Sequence, residues 1–179
     1  MSPDPRLGTR TIRRVVFTQA EIERRVGELG EEISAAYPDG DLVLVGLLKG
    51  CLFFLTDLAH SIRRPLQIDF LAASSYGQGT VSGGQVRVHY QPAIPLAGRH
   101  ILVVEDIIDT GLTLAVLLDR LRSAGPASLA VCALLDKRLA APLPELRFVG
   151  FAAPSVFLVG YGLDHAEDFR HLRYIAELD

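Results

Sequence analysis

The chain is poor in cysteine and has no excess of positive charge. Its two cysteines, Cys51 and Cys132, stand in apolar surroundings without metal-ligand spacing, which favours buried thiols in a reducing compartment over a disulfide. The 18 lysines and arginines are outnumbered by 21 aspartates and glutamates, so the formal net charge is −3. A surface that binds nucleic acid through its phosphates needs the opposite balance. The composition therefore gives no support for a nucleic-acid partner.

The sequence also lacks a segment typical of a membrane protein. Residues 1–14 are polar and contain no apolar run that could act as a signal peptide. Residues 42–59 are nearly all apolar, but Lys49 lies near their centre, and a lysine in the middle of a bilayer costs about 3 kcal/mol. A buried strand, a turn and a helix explain this run better. We therefore expect a cytoplasmic protein with no membrane partner.

What the sequence does contain is typical of a single folded α/β domain. Apolar residues make up 49% of the chain and charged residues 22%, and no repeat or linker divides it. Apolar segments alternate with helical ones, a pattern that predicts a mainly parallel sheet with ligands at the carboxyl ends of its strands. The predicted helices are 18–37, with a capping box at Thr18–Glu21, 51–63 and 111–124. The predicted strands are 41–48, 66–73, 100–104 and 129–135, with shorter pieces at 148–152 and 157–159.

One segment after the predicted strand 100–104 combines two kinds of chemistry. Glu105, Asp106 and Asp109 place three carboxylates at a strand end, where a cation or the hydroxyls of a ligand would have to offset their repulsion. Thr110–Thr113 then supply hydroxyls and a glycine where a helix begins, and the N–H groups and dipole of a helix start attract an anion. A sugar phosphate presents both hydroxyls and phosphate. A simple helix cap with solvated acids is the less favoured alternative, and neither a Walker loop nor a dinucleotide fingerprint is present.

Residues 103–113, VVEDIIDTGLT, resemble the phosphoribosyl diphosphate (PRPP) motif of the type I phosphoribosyltransferases. Further segments match the hypoxanthine (hypoxanthine-guanine) branch of this family in order and approximate spacing, and the resemblance covers nearly the whole chain after about Val16. These segments are Leu48–Gly50, Ser74–Gly77, Leu135–Lys137, Phe157–Asp164 and Phe169–Arg170. The resemblance implies the type I phosphoribosyltransferase fold, in which a central, mainly parallel sheet is flanked by helices and topped by a small hood.

The resemblance also implies how residues 1–179 are organised. It implies an N-terminal arm of about residues 1–15, a mobile catalytic loop at 74–87 and a base-binding hood to which about residues 153–179 contribute. Ser75 and Tyr76 would lie at the start of the loop, which closes over the reaction centre and excludes water. A disordered hairpin without a catalytic role would have the same composition.

Each residue of the PRPP motif acquires an implied role from the resemblance. Glu105 and Asp106 would contact the ribose hydroxyls, directly or around Mg²⁺, the expected cofactor. Asp109 would face N7 of the purine as general base or acid, a task that suits a carboxylate in a partly dry site. The 5-phosphate would be held by the segment Asp109, Thr110, Gly111, Leu112 and Thr113.

Charged residues outside the motif are implied to bind pyrophosphate and metal. Lys49 and Gly50 would form a pyrophosphate-binding turn, which in the family often carries a non-proline cis peptide. Arg170 would also bind pyrophosphate, and Asp164, in the base-binding part of the chain, would hold a second Mg²⁺ through water. A plain surface lysine after a strand is the alternative for Lys49.

The purine site is implied to use three further residues. Lys137 would donate to the 6-oxo group, a bond that the 6-amino group of adenine cannot accept. Phe157 would stack on the base, and the backbone of Leu158 would contact its Watson–Crick edge. A solvated lysine beside Arg138 and an ordinary core aromatic are the alternatives for Lys137 and Phe157.

The expected activity is transfer of the 5-phosphoribosyl group from PRPP to N9 of hypoxanthine, and of guanine, with release of pyrophosphate. A phosphoribosyltransferase for xanthine or another base is one alternative. A non-catalytic PRPP-binding regulator is the other, although such a protein would be expected to carry a basic face. The apolar helix Leu52–Leu58, beside the Lys49 turn, is the candidate interface of a homo-oligomer, a dimer or a tetramer.

Overall fold

The computed structural model describes residues 10–75, 86–139 and 142–179. Its helices are α1 (Gln19–Ala36), α2 (Leu52–Ser61) and α3 (Leu112–Arg122). Its strands are β1 (Ile12–Phe17), β2 (Leu42–Leu48), β3 (Gln67–Ser75), β4 (Val86–Tyr90), β5 (His100–Ile108), β6 (Ser128–Asp136), β7 (Leu146–Ala152), β8 (Leu158–Val159) and β9 (Ile175–Leu178). No helix within these ranges is long and apolar enough to cross a membrane.

The central sheet has six strands in the order β4-β3-β2-β5-β6-β7, and only the edge strand β4 runs antiparallel to its neighbour. Successive residues of β2 enter different cores, because side chains alternate between the two faces of a sheet. Leu44 packs in the cluster that contains residues of α1 and α2, and Val45 packs in the cluster that contains residues of α3. Burial on both faces explains why β2 is apolar along its whole length.

Helix α1 begins with the capping box that the sequence predicts. The side chain of Thr18 accepts a hydrogen bond from the backbone N–H of Glu21, and the Glu21 carboxylate accepts one from the N–H of Thr18 at 2.8 Å. The buried face of the helix is formed by side chains at the predicted spacing, Ile22, Val26, Leu29 and Ile33. The cap therefore fixes where the helix begins, and the apolar face fixes how it packs.

A second, antiparallel sheet in the order β1-β9-β8 forms the hood. Its strand β1 includes residues that the sequence assigned to an N-terminal arm, and neither β1 nor β9 was predicted. The two strands are joined across the sheet by Arg13 and Arg14, which pair with the buried carboxylate of Glu177 at 3.0 and 2.8 Å. The start and the end of the described chain thus meet in one small sheet.

Strands β2 and β5 form the switch point of the central sheet. The chain leaves β2 through α2 to reach β3 on one side, and it leaves β5 through α3 to reach β6 on the other. A crevice opens where two neighbouring strands are followed by connections in opposite directions, and ligands of such sheets bind there. The pairing of β2 with β5 ends at Gly46 and Val104, while β5 continues beside β6 as far as Ile108.

This geometry corrects the prediction for the acidic pair. The sequence placed Glu105 and Asp106 after a strand that ended at Val104, but both lie inside β5. The strand continues because β6 still offers backbone partners, Ala133 opposite Glu105 and Asp136 opposite Ile108. On its other side, β5 no longer pairs with β2 beyond Val104. The two carboxylates therefore stand at a half-open strand edge and not in a loop.

The two ends of the segment predicted as a mobile loop, 74–87, belong to strands. Ser74 pairs with Arg87 and Ser75 pairs with Val86, so these residues extend β3 and β4. Residues 76–85, which include Tyr76 of the predicted loop, lie outside the described residues.

Candidate active site

The acidic pair lines a cavity of about 220 Å³ at the switch point. Glu105 and Asp106 share this cavity with Gly50, with Thr113 of α3 and with Ala73 of β3. Burial and the neighbouring charge of Asp106 hold the pKa of Glu105 well above its usual range. Burial raises the pKa of Asp106 to about 6, with a further contribution from Asp164 that Arg170 and the backbone N–H groups oppose. The pair is thus short of compensating positive charge, as expected for side chains that accept from hydroxyls or face a cation.

Gly50 lets the turn after β2 lie directly against the acidic pair. A Cβ atom on Gly50 would overlap the carboxylate of Asp106. Gly162 in turn packs on the backbone oxygen of Gly50 and has φ +103°, a conformation that favours glycine. The peptide bond between Leu48 and Lys49 is cis, as the resemblance implied for this turn. The two glycines therefore let the turn after β2 pack between Asp106 and the segment that follows β8.

A neighbouring cavity of about 170 Å³ is lined by Glu105 and by the segment from Ile107 to Leu114. Gly111 caps α3 with φ +72° and has no side chain that could bond to the first turn of the helix. The first N–H groups of α3 have no acceptor within their own helix, so they and the exposed hydroxyls of Thr110 and Thr113 can receive an anion. The two cavities share Glu105 and Thr113. A ligand with hydroxyls and a phosphate can span them.

Asp109 and Lys137 form a pair across the ends of β5 and β6. Nζ of Lys137 donates to the carboxylate of Asp109 at 3.2 Å, and the backbone N–H of Lys137 donates to the carbonyl of Ile108 at 3.0 Å. The Lys137 side chain is 14% exposed, whereas that of Asp109 is 53% exposed. On a 6-oxopurine, O6 can accept from Lys137, and the neighbouring N7 can donate to Asp109 when N7 carries a proton.

The implied pyrophosphate residues are linked by a network of ion pairs. Nζ of Lys49 donates to Glu167 at 2.8 Å, and Nη2 of Arg170 lies 2.8 Å from Asp164 and 3.6 Å from Glu167. Nη1 of Arg170 donates to the carbonyl of Gly162 at 2.7 Å. Among the described residues, the buried Nε of Arg170 has no hydrogen-bond partner. The sequence singled out Lys49, Arg170 and Asp164, and the structure joins them through Glu167.

The two hood residues assigned to the base differ in exposure. Phe157 is 52% exposed and makes an edge contact with the ring of His165, with 5.4 Å between ring centres. Leu158 is buried in β8, opposite Glu177 of β9. An exposed aromatic ring is free to stack on a planar ligand. Neither Phe157 nor Lys137 lines the two cavities around the PRPP motif.

The comparisons with known proteins agree with this site. Residues 16–165 match the phosphoribosyl transferase domain family. The chain belongs to the phosphoribosyltransferase family. It is 45% identical to a hypoxanthine-guanine phosphoribosyltransferase of Mycobacterium avium over 94% of this chain and 86% of that protein. It is also 42% identical to the hypoxanthine phosphoribosyltransferase of Escherichia coli (strain K12), over 92% of this chain and 94% of that protein.

A solved structure extends the similarity to the fold. A hypoxanthine phosphoribosyltransferase from Staphylococcus aureus superposes with a TM-score of 0.89 at 37% identity, covering 94% of this chain and 92% of that chain. The type I phosphoribosyltransferase fold, which the sequence predicted, is thereby confirmed. So is the branch of the phosphoribosyltransferase family that acts on hypoxanthine and guanine.

Two residues of the site, Gly162 and Glu167, were not predicted from the sequence. Gly162 is one of two glycines close together in the sequence, and its contact with Gly50 joins positions that are distant in the chain. Glu167 is an acidic residue without a recognised motif. Its backbone has a positive φ, a conformation that favours glycine, but this feature is visible only in the structure.

Proposed function

We propose that the chain is a purine salvage enzyme that transfers the 5-phosphoribosyl group from PRPP to N9 of hypoxanthine or guanine, giving IMP or GMP and pyrophosphate. The observation that carries this proposal is the pair of adjoining cavities around Glu105–Leu114. One offers carboxylates for hydroxyls, and the other offers the start of a helix for a phosphate. The relatives named above carry this activity in their names.

In the proposed reaction, the PRPP motif holds the ribose. Glu105 and Asp106 accept hydrogen bonds from its 2- and 3-hydroxyls, and the N–H and hydroxyl groups of Asp109–Thr113 hold the 5-phosphate. The bond from the anomeric carbon to pyrophosphate breaks as N9 of the base attacks from the opposite face. The positive charge that develops on the ribose is stabilised by the two carboxylates.

Asp109 and Lys137 are proposed to handle the base. Lys137 donates to O6, which selects a 6-oxopurine over adenine. Asp109 accepts the proton from N7 as N9 forms its bond to the anomeric carbon, and it returns this proton to N7 in the reverse reaction. The distance of 3.2 Å between the two side chains supports this assignment, because O6 and N7 are neighbours on one edge of the purine. Phe157 is proposed to stack on the ring and the backbone of Leu158 to contact its Watson–Crick edge.

Pyrophosphate is proposed to leave from Lys49, Gly50 and Arg170. Within the described ranges, no group of three or more His, Cys, Asp or Glu side chains forms a complete set of metal ligands. The residues present nevertheless fit Mg²⁺, which is usually bound by one or two carboxylates together with water and substrate phosphates. Glu105 and Asp106 would hold one ion near the ribose, and Asp164 would hold a second through water. Bound Mg²⁺ would supply positive charge against the departing pyrophosphate.

The activity can be tested with the purified protein, Mg²⁺ and PRPP. Each of hypoxanthine, guanine, xanthine and adenine is added in turn, and nucleotide formation is followed. We expect IMP and GMP to form and adenine to give no product. If neither hypoxanthine nor guanine yields a nucleotide, the proposed function is wrong.

We also propose that the described residues act as a single domain and that the enzyme is a homo-oligomer with α2 at an interface. Leu52 and Phe53 of α2 are 44% and 41% exposed, a cost for large apolar side chains that contact with a second copy would remove. Phe53 also borders a cavity of about 460 Å³, which Tyr161 and Arg173 of the hood line as well. Sedimentation should show a dimer or tetramer that Phe53→Glu shifts toward monomer. A monomer in the wild-type protein would contradict this part.

A further inference from the structure

Glu167 lies between the two cations assigned to pyrophosphate, and it has no role in the reaction as described so far. One carboxylate oxygen, Oε2, accepts from Nζ of Lys49 at 2.8 Å and lies 3.6 Å from Nη2 of Arg170. Lys49 belongs to the turn after β2, and Arg170 lies between β8 and β9, far along the chain. A single acidic oxygen therefore joins cations that two separate parts of the fold supply.

The backbone of Glu167 is held in a tight hairpin turn. His165 and Asp168 exchange both backbone hydrogen bonds, at 3.2 and 3.1 Å, and the two residues between them have positive φ, +52° for Ala166 and +68° for Glu167. Such a two-residue turn favours asparagine and glycine, because other residues strain their backbone there. An alanine–glutamate pair in this turn costs stability. That cost is understandable if the turn exists to place the Glu167 side chain.

The position of Oε2 is one that an oxygen of pyrophosphate could also take. Carboxylate and phosphate oxygens accept the same charge-assisted hydrogen bonds from lysine and arginine. The Lys49 and Glu167 side chains are 66% and 65% exposed, so their ion pair is weak and can be displaced by a ligand with a higher charge. We propose that Glu167 occupies Lys49 and Arg170 in the absence of pyrophosphate and competes with pyrophosphate for them, which speeds the release of this product. The inference deepens the proposed function and rests on it.

The charges of the side chains around Lys49 also support competition between Glu167 and pyrophosphate. Lys49 and Arg170 contribute two positive charges, and Glu167 and Asp164 contribute two negative ones. The four side chains together are neutral, so pyrophosphate gains little net attraction when Glu167 remains ionised. Replacing Glu167 by glutamine leaves one positive charge in excess and keeps the size of the side chain.

The test compares pyrophosphate binding by the wild type and by Glu167→Gln, measured by titration calorimetry of the full chain in buffer with Mg²⁺. We expect the Kd of pyrophosphate to fall about threefold in the variant, because an exposed ion pair is weak. The KM for PRPP should fall by a similar factor, while the forward kcat stays constant or decreases. A residue with only a structural role would not tighten binding. An unchanged or increased Kd therefore overturns the proposal.

Three further variants make the result specific. Glu31→Gln removes an equally exposed carboxylate that pairs with Arg63 at 2.8 Å on another face, and it should leave the Kd unchanged. Glu167→Gly removes the carboxylate and relieves the turn, so it should tighten pyrophosphate binding and raise Tm together. In a Lys49→Gln background, Glu167→Gln should have a smaller effect, since part of the competition is already gone.

Failure of the proposal for Glu167 can be distinguished from failure of the proposed function. A wild-type protein that forms no nucleotide from hypoxanthine or guanine contradicts the proposed function itself. A wild type that is active, with a Glu167→Gln variant that binds pyrophosphate no more tightly, contradicts only the role given to Glu167.

Discussion

At the scale of single residues, the pairing of Asp109 with Lys137 leads to the first prediction. Asp109→Asn keeps the size of the side chain but removes the charge that holds Lys137. It also removes the group proposed to take a proton from the base. Since a positioned acid or base contributes 10²- to 10⁴-fold to a rate, we expect kcat to fall by roughly a hundredfold while the fold is kept. Steady-state formation of IMP and a thermal melt measure the two effects.

Asp119→Asn is the matched control for this change. Asp119 is an exposed aspartate of α3 that pairs with Arg122, and it borders neither cavity of the site. The control should retain full turnover. If Asp109→Asn is as active as this control, Asp109 has no part in the mechanism.

Gly50 gives the second prediction at this scale. An added Cβ would overlap the carboxylate of Asp106, so Gly50→Ala must move either the turn or the acid. A displacement of about 1 Å at a reacting centre can cost 10²-fold, and we expect kcat/KM for PRPP to fall by about that factor. Overpacking should also lower the free energy of unfolding by about 1–3 kcal/mol.

The control for Gly50 is a glycine with free space around it. Gly27 lies in α1, and a Cβ added there meets no atom within 4 Å. Gly27→Ala should therefore stabilise the helix by about 1 kcal/mol and leave kcat/KM unchanged. Equal kinetics for the two variants would show that the contact between Gly50 and Asp106 does not matter.

At the scale of elements, Asp69 fastens β3 to the segment that leads into β5. Its carboxylate is 6% exposed and accepts from the N–H groups of Ala93 at 2.7 Å and Ile94 at 2.9 Å. Burial alone would raise the pKa of Asp69, but these bonds, with those from Phe70 and Tyr90, bring it below the usual value. The ionised form is thus the one that stabilises the fold.

The third prediction follows from the lowered pKa of Asp69. Asp69→Asn turns an N–H₂ group or an uncharged oxygen toward two backbone donors and should cost about 2 kcal/mol of stability at pH 7. The contribution of Asp69 is fully present above its unfolded pKa of about 4 and is lost as the pH falls through the lower folded value. Urea unfolding should show the difference between variant and wild type shrinking below about pH 4. A difference that persists unchanged in acid would contradict the role of the charge.

Elements with a strong local pattern could be predicted from the sequence, and those that depend on distant partners could not. Helix α1 carries its own cap and apolar face, and β2 is apolar throughout, so both were found within one residue of their ends. The end of β5 depends on where β2 stops and β6 continues, which no local pattern records. Strands β1 and β9 have few residues and are stabilised by each other, through Glu177 and two arginines.

The site shows the same division. The segment Glu105–Thr113 was recognised because its chemistry is contiguous in sequence. Glu167 was missed because it stands out only through its ion pairs with Lys49 and Arg170, which are distant from each other in the chain and meet at one carboxylate only after folding.

At the scale of the whole molecule, the site joins the two sheets. Asp106 of the central sheet contacts Gly50, Gly50 contacts Gly162 in the segment that joins β8 to β9 of the hood, and Lys49 pairs with Glu167 of the same segment. A ligand that occupies this region would contact the central sheet and this segment at once. It should therefore stabilise them together and not one at a time.

The last prediction is that PRPP with Mg²⁺ raises a single Tm. Ligand at 100 times its Kd adds about 2.7 kcal/mol to the free energy of unfolding, which for a chain of this size corresponds to roughly 5–10 °C. Calorimetry should show one transition, with and without ligand, that moves as a unit. In Lys49→Gln, the shift at the same ligand concentration should be smaller, since one of the proposed contacts to the ligand is removed. Two transitions, of which only one responds to PRPP, would mean that the hood and the central sheet unfold separately and that the contacts at Gly50 do not couple them.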